Sequence, residues 1–375
     1  TGVCETDTRL LNEIRDFFTF RPGQPLYAGG AKRPDQWGWL EVFPQNKYVT
    51  RPDGSCELVT VGVGQNANAE RICTHFNDSD TFGRSYTGRD GFAHLSPDSY
   101  KYGYNVQEQW DRAIDLDPDI VFVTGWNEWI MGQFHEPWLS DNDSTQLAMV
   151  DQYDREHSRD IEMDRDGYLD TYYLQMVANI RRFKGLAHVE IPNESVTIPA
   201  GDFGRWQTVK PDYLSHRGTQ ANRDFSGLGD YHYQNLTGRN NIINAKVCGN
   251  EDTIYFYAET SEAIKQTGNH VMELLLDTDR SKSTGWEGYD FLISDGKIYV
   301  WEQESEDWKS VCGVPSYCEG NRIYVEVPKK LIGRDSAISL EFKWSDNIAY
   351  TDIMNFYRDG DCAPFGRFNY IYEVK

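Results

Sequence analysis

Two hydrophobic periodicities divide this chain near residue 190, and no single layer of secondary structure accommodates both. Before that point the apolar runs are short and continuous, and segments of helical spacing separate them. Residues 39–43 read as a strand ending in Pro44-Gln45-Asn46, and residues 58–63 as another ending in Gly64-Gln65-Asn66. Residues 104–116 carry Val106, Trp110, Ala113 and Ile114 at helical spacing, and Pro118-Asp119 stops that helix. Residues 120–124 follow as a β-branched run expected to be a fully buried strand, ending in Trp126-Asn127-Glu128-Trp129. A helix is expected over 168–184. Its last turn carries Arg181, Arg182 and Lys184, which suit the negative end of the helix dipole, and Gly185 serves as cap. Strand-helix alternation with continuous apolar strands implies a parallel sheet covered by helices.

Beyond residue 190 the pattern shortens. Residues 189–234 are turn-rich and read as a linker with its own strand. Brief alternating strands then recur at 244–247, 253–258, 270–276, 289–293, 297–302, 322–327 and 337–344, with Asp-Gly and Gly-Asn punctuation. The expected fold is therefore α/β plus all-β. A partial or complete (β/α)8-type barrel occupies 1–188, and an antiparallel β-sandwich occupies 235–375. A chain of 375 residues is long enough for two such domains.

The formal net charge of −22 excludes nucleic acid and anionic membrane as natural partners, because both require an excess of Lys and Arg. A neutral polymer remains compatible. Aromatic residues reach 14%, with 11 Trp and 23 Tyr, which suits either sugar-stacking faces or an aromatic-rich sandwich core. No apolar run approaches the ~18 residues of a membrane span. The chain opens on Thr1 and is expected to be mature, trimmed or a fragment. Its seven cysteines show no zinc-ligand spacing. Cys312 and Cys318 bracket five residues and suggest a short disulfide loop, and the odd total leaves at least one thiol free. Sequons begin at Asn77, Asn142, Asn193 and Asn235, and matter only in a eukaryotic secretory pathway.

In parallel α/β architectures, chemistry gathers outside the carboxyl ends of the strands. Here those ends carry Gln45, Asn46, Gln65, Asn66, Asn127 and Glu128, amides and a carboxylate suited to hydroxyl groups and a glycosidic oxygen. Burial of Glu128 between Trp126 and Trp129 would raise its pKa toward the range of general acid/base work. The competing reading makes it a helix cap or an arginine partner. The segment from Asn66 to Tyr104 is expected to overhang the strand ends, placing His75, Arg84 and Tyr86 near a substrate. Trp37 and Trp39, at strand spacing, form either a sugar platform or core.

The run from Asp119 to Trp129 resembles the last-strand motif of glycoside hydrolase family 99 and its family 71-like relatives, (β/α)8 barrels that act on α-linked glycans. In family 99 a second Glu follows three residues after the first; here Met131 stands in that place. A second carboxylate is therefore expected from elsewhere, with Glu136 the first choice and Asp141, Asp143 and Glu41 the others. Fewer residues precede the sandwich than the ~200 of a complete barrel. The chain is thus expected to begin inside a larger catalytic domain.

The stretch 273–293 (ELLLDTDRSKSTGWEGYDFLI), with the early strand 253–258, resembles family 9 carbohydrate-binding modules and their DOMON-like relatives. Asp277, Asp279 and Asp290 offer oxygens to a structural Ca2+, or form an acidic turn without metal. Trp286, Trp301 and Trp308 are sugar-stacking faces or core. Together the resemblances imply a glycoside hydrolase with an appended carbohydrate-binding domain. It would need no cofactor for catalysis, and would act on a polysaccharide or oligosaccharide outside the cytoplasm (secreted, periplasmic or on the cell surface). The alternative is a non-catalytic glycan-binding protein with a degenerate barrel, which Met131 favours.

Overall fold

Gly103 lets the chain turn into the first long helix of the structure. Its φ of 62° is open to glycine, and a Cβ there would lie 2.0 Å from Gln175 Oε1. The computed structural model describes residues 8–23, 30–71, 73–129, 133–134, 148–164, 166–186, 195–219, 223–227, 229–230, 232–334 and 338–374. The chain divides into two compact units, Thr1–Ala187 and His188–Lys375.

In the first unit, helix α1 (Thr8–Phe17) buries no residue. Strand β1 (Tyr48–Thr50) pairs antiparallel with β2 (Cys56–Val61). After helix α2 (Tyr104–Leu116), strand β3 (Ile120–Val123) pairs parallel with β2, Leu58 opposite Ile120 and Val61 opposite Val123. A short antiparallel pair, β4 (Gln133–Phe134) and β5 (Ala148–Met149), precedes helix α3 (Thr171–Lys184). Val106, Trp110 and Ala113 of α2 form one core with Val59 and Val61 of β2 and Tyr172 of α3.

The expected helices are present, but among the described residues a (β/α)8-type barrel is not shown. The described residues form one β-α-β unit within a three-stranded sheet ordered β1-β2-β3. Strand β3 is not fully buried either. Its side chains alternate, so Ile120 and Phe122 are 38% and 42% exposed while Val121 and Val123 face the core. Residues 39–43 do not form a strand: the Arg71 guanidinium donates to the carbonyls of Val42, Phe43 and Pro44, oxygens a ladder would otherwise use.

The second unit is a β-sandwich. Strands β6 (Tyr213–Leu214), β7 (Arg223–Ser226) and β8 (His232–Asn235) lead into it, with β7 and β8 forming a hairpin. Then come β9 (Ile242–Gly249), β10 (Thr253–Thr260), β11 (Glu273–Asp277), β12 (Phe291–Ser294), β13 (Lys297–Glu302) and β14 (Asp307–Gly313). The last strands are β15 (Ser316–Glu319), β16 (Arg322–Pro328), β17 (Ile338–Asp346), β18 (Asp361–Ala363) and β19 (Tyr370–Val374), with the short helix α4 (Asn355–Arg358) before β18. One sheet is ordered β15-β16-β10-β9-β6. The other is ordered β14-β13-β12-β11-β17-β18, with β19 also on β17.

Period-two alternation builds the core. Ile254, Phe256 and Ala258 of β10 face Leu274 and Leu276 of β11 and Phe342 and Trp344 of β17. The opposite phase is apolar too, because both outer faces are covered. Tyr255, Tyr257 and Tyr324 lie under Ile198, Phe203, Trp206 and Val209. Part of the expected linker is therefore packed structure. On the other sheet, Leu275 and Leu292 lie under Trp286, Ile348 and Phe356.

Cys312 and Cys318 are both free; β14 and β15 belong to different sheets, so the chain between them crosses the sandwich instead of closing a disulfide loop. Among the described residues, no helix is long and apolar enough to cross a membrane.

Candidate functional site

Three glycines open the carboxyl end of the small parallel sheet to a crossing loop. A Cβ on Gly64 or on Gly125 would lie 2.2 Å from the carbonyl oxygen of Ser158 or of Arg159, and one on Gly83 would lie 2.5 Å from Glu156. With hydrogen there instead, the loop Asp151 to Glu162 lies against the continuation of β3. Ile161 donates its N–H to Gly125 O (3.1 Å) and Glu162 donates to Trp126 O (2.9 Å). The Asp160 carboxylate accepts the N–H of Glu128 at 3.0 Å. Glu162 takes the indole N–H of Trp129 at 2.7 Å and the amide of Asn127 at 3.4 Å. One acidic loop thereby holds the backbone of Gly125, Trp126 and Glu128 and the side chains of Asn127 and Trp129.

Arg159 is the centre of charge. Its side chain is 7% exposed, it pairs closely with the buried Asp151 carboxylate, and its Nη2 lies 3.8 Å from Glu128 Oε2. The nearest oxygens of Glu128 and Asp151 are therefore within ~7 Å, the sum of that distance and one hydrogen-bond length. Glu128 faces solvent with 53% of its side chain exposed, beside an exposed Trp126. The desolvated carboxylate is Asp151. Burial pushes it up to about 6 against the pull of Arg159, and the negative charges of Glu128 and Asp160 add to the rise. Burial also raises Asp160, opposed by the Glu128 N–H and by Arg84 and Arg159. Asp160 Oδ2 and Arg159 Nη1 are buried with no hydrogen-bond partner among the described residues.

The other sequence-derived site residues separate into distinct roles. Arg84 lies behind the loop, wholly buried between the rings of Tyr168 and Tyr172 (4.7 and 4.5 Å), donating to Ser158 Oγ and Asp160 O. Gln45 donates to the carbonyls of Thr60 and Gln109, and Gln65 to Asn105 Oδ1, so both tie strand ends to α2. Asn66 is buried as well, its Nδ2 without a partner among the described residues. Asn46 donates to the buried Glu41 carboxylate, which also takes the Tyr48 hydroxyl. His75 is buried with Nδ1 3.5 Å from Asp78, and Tyr86 stacks on Phe82. These amides and His75 thus serve packing where an open substrate surface was expected. Glu136, Asp141, Asp143 and Met131 lie outside the described residues.

Sequence reasoning missed Asp151, Arg159, Asp160 and Glu162. The run Ser158-Arg159-Asp160-Ile161-Glu162 carried one signal, a lone apolar residue among charges, and that was too little to separate it from a solvated loop.

In the sandwich, Asp277, Asp279 and Asp290 bring one carboxylate oxygen each within 4.8 Å of the others. Lys282 Nζ already lies 2.7 Å from Asp277 Oδ2 and 2.9 Å from Glu341 Oε2. The oxygen-only donor set suits calcium once that ammonium, on a side chain 58% exposed, swings out. Trp286 is core; Trp301 and Trp308 pack edge-to-face at 5.2 Å against the same cluster. A concavity of about 710 Å³ opens beside Gln266, His270, Ser294, Asp295 and Cys318.

No protein-family model matches the chain, and no curated protein sequence matches it. Among solved structures it is similar to a carbohydrate-binding module of family 9 from Caldicellulosiruptor kristjanssonii in complex with glucose. That likeness has 10% identity and a TM-score of 0.27, over 49% of this chain and 94% of that one. A family 9 module from the same organism in complex with cellotriose gives 12% identity and a TM-score of 0.24, over 43% and 76%. Neither likeness assigns a function to this chain.

Proposed function

We propose that this chain handles carbohydrate. A glycan would lie across the carboxyl ends of β2 and β3 with Glu128 at its reacting bond, and the sandwich would serve as an appended carbohydrate-binding domain outside the cytoplasm. The observation that carries the reading is a solvent-facing carboxylate held in place from two sides. Asp160 fixes its N–H and the buried Arg159 approaches its oxygen, while Trp126 and Asn127 supply a flat apolar face and an amide beside it. A ring with apolar C–H faces and hydroxyl edges matches that inventory. The finer proposal is hydrolysis of an α-linked glycan, the linkage implied by the resemblance of residues 119–129.

In that reaction Glu128 is the catalytic carboxylate, taking a proton from the attacking water or itself attacking the anomeric carbon as the bond to the leaving sugar breaks, and a second carboxylate, Glu136 being the candidate, gives the leaving oxygen its proton. Asp151, at 1% exposure, is a positioning residue that acts through Arg159. With Asp151 ionised, Arg159 is shared between two carboxylates; with Asp151 protonated, it is left to pair with Glu128 alone, which ties up the oxygens the reaction needs. No cofactor is assigned to the reaction, and calcium at Asp277, Asp279 and Asp290 is proposed as structural.

Release of reducing ends from a panel of α-glycans tests the assignment. Glu128→Gln should abolish release while leaving glycan affinity within about twofold. Turnover equal to that of the parent protein would remove Glu128 from the mechanism. A parent protein that binds glycan without cleaving it would leave a glycan-binding protein, the reading that Met131 favours.

A further inference from the structure

A cavity of about 520 Å³ opens beside the acidic loop, lined by Trp129, Gln152, Asp154, Ser158, Asp164 and Tyr168 among others. We propose that it is a second carbohydrate subsite, taking one uncharged sugar ring of the same glycan; this rests on the carbohydrate reading above.

The volume falls within the ~300–1,000 Å³ of ordinary small-molecule sites. Its floor is aromatic and fixed. Trp129 is tethered through its indole N–H to Glu162, and its ring stacks with that of Tyr168, centroids 6.4 Å apart and planes 28° apart. Tyr168 is buried against the Arg84 guanidinium, so neither ring is free to collapse into the space.

The rim is polar and equally constrained. Asp154 holds the ring of His157 with both oxygens (2.9 and 3.1 Å) and accepts its backbone N–H at 2.7 Å, which fixes it in the cavity lining. Arg155 Nε donates to Asp164 Oδ2 at 3.0 Å, and Gly167 backs that pair so closely that a Cβ would lie 1.9 Å from the carboxylate. Carboxylates, an amide and a guanidinium around an aromatic floor are the groups that read a ring's hydroxyls while its C–H face rests on indole. The carboxylates disfavour a uronate or sulfated ring, which directs the assignment to a neutral sugar.

The cavity adjoins Glu128 along the chain. Trp129 follows Glu128 directly and Ser158 precedes Arg159 directly, so both sites are built on the same two backbone segments.

The test is titration calorimetry of the full chain with neutral oligosaccharides of increasing length. Gln152→Ala with Asp154→Asn removes two rim contacts, and the Asn retains the oxygen that caps His157. Met163→Trp, independently, fills the cavity from its wall. Each variant should keep the parent's circular dichroism and lose about tenfold in affinity, the equivalent of one or two hydrogen bonds. Glu128→Gln should keep parental affinity. Parental affinity in both cavity variants overturns the subsite and leaves the carbohydrate reading standing. Absence of sugar binding by the parent protein itself removes both.

Discussion

Gly125 carries a φ of 81° and a position where a Cβ would lie 2.2 Å from Arg159 O, so alanine there meets both backbone strain and a clash. Gly125→Ala should destabilise the first unit by about 1–3 kcal/mol, read as a lower urea midpoint. It should also weaken glycan binding by pushing the acidic loop away from Glu128; unchanged stability would mean that the loop is not seated on β3. Asp151 offers a sharper test. If it sets the charge balance at Glu128 through Arg159, kcat/KM should rise as pH increases through about 6, where Asp151 loses its proton. Asp151→Asn, which mimics the protonated carboxyl, should remove that rise and hold kcat/KM at its low-pH level; a rise that persists assigns the titration to another group. The raised carboxyl has a stability consequence of definite sign. The folded state holds that proton more tightly than the unfolded chain, so this contribution is present below pH ~4 and is lost as pH rises through about 6. At this scale the arrangement was half legible. The place of Glu128 after an apolar run was readable, whereas Asp151 and Arg159 belong to a loop whose charges have no period and whose seat against Gly64 and Gly125 appears only in the structure.

The sandwich strands were legible because alternation survives from sequence to structure: Lys297–Glu302 matches strand β13 residue for residue. The cover on the five-stranded sheet was not. Residues 195–214 have no period of their own, yet Trp206 is buried against Tyr257 and Tyr324, ring centroids 4.9 and 5.6 Å away. A clue lay in β10, where Tyr255 and Tyr257 occupy the phase that a solvent-facing strand would fill with charge. Lys246 anchors the cover, donating to the carbonyls of Trp206 and Val209. Trp206→Ala should therefore cost about 3–5 kcal/mol, as a core truncation does, with a lower unfolding temperature as the readout. A loss of a few tenths of a kcal/mol would return the segment to the status of a linker. The acidic turn after β11 makes the opposite kind of prediction. Calcium should raise the unfolding temperature relative to chelator, and more so in Lys282→Met, where the competing ammonium is gone. Identical melting of that variant with calcium and with chelator would identify an acidic turn satisfied by Lys282 alone.

Across the whole chain the barrel was the least legible feature. Its expectation rested on strand-helix alternation and on the resemblance of residues 119–129, and the alternation included residues 39–43, where Arg71 binds the carbonyls a ladder needs. The βαβ unit survived because β2, α2 and β3 each had a strong local period. Net charge is a whole-chain property that needs no fold. At −22 the protein repels polyanions over the Debye length, which shrinks from ~30 Å at 0.01 M salt to ~8 Å at physiological ionic strength. A neutral glycan feels none of this field. Its affinity, carried by stacking and hydrogen bonds, should change less than about twofold across that range of salt. A sulfated or uronate-rich polymer should be excluded at low salt and gain at most weak binding as salt rises. Affinity electrophoresis in gels loaded with either polymer separates the cases. Retardation by the polyanion at low salt that fades as salt is added would reveal a basic binding surface. It would place the glycan away from Glu128, Asp151 and Asp160, whose charges exclude such a ligand.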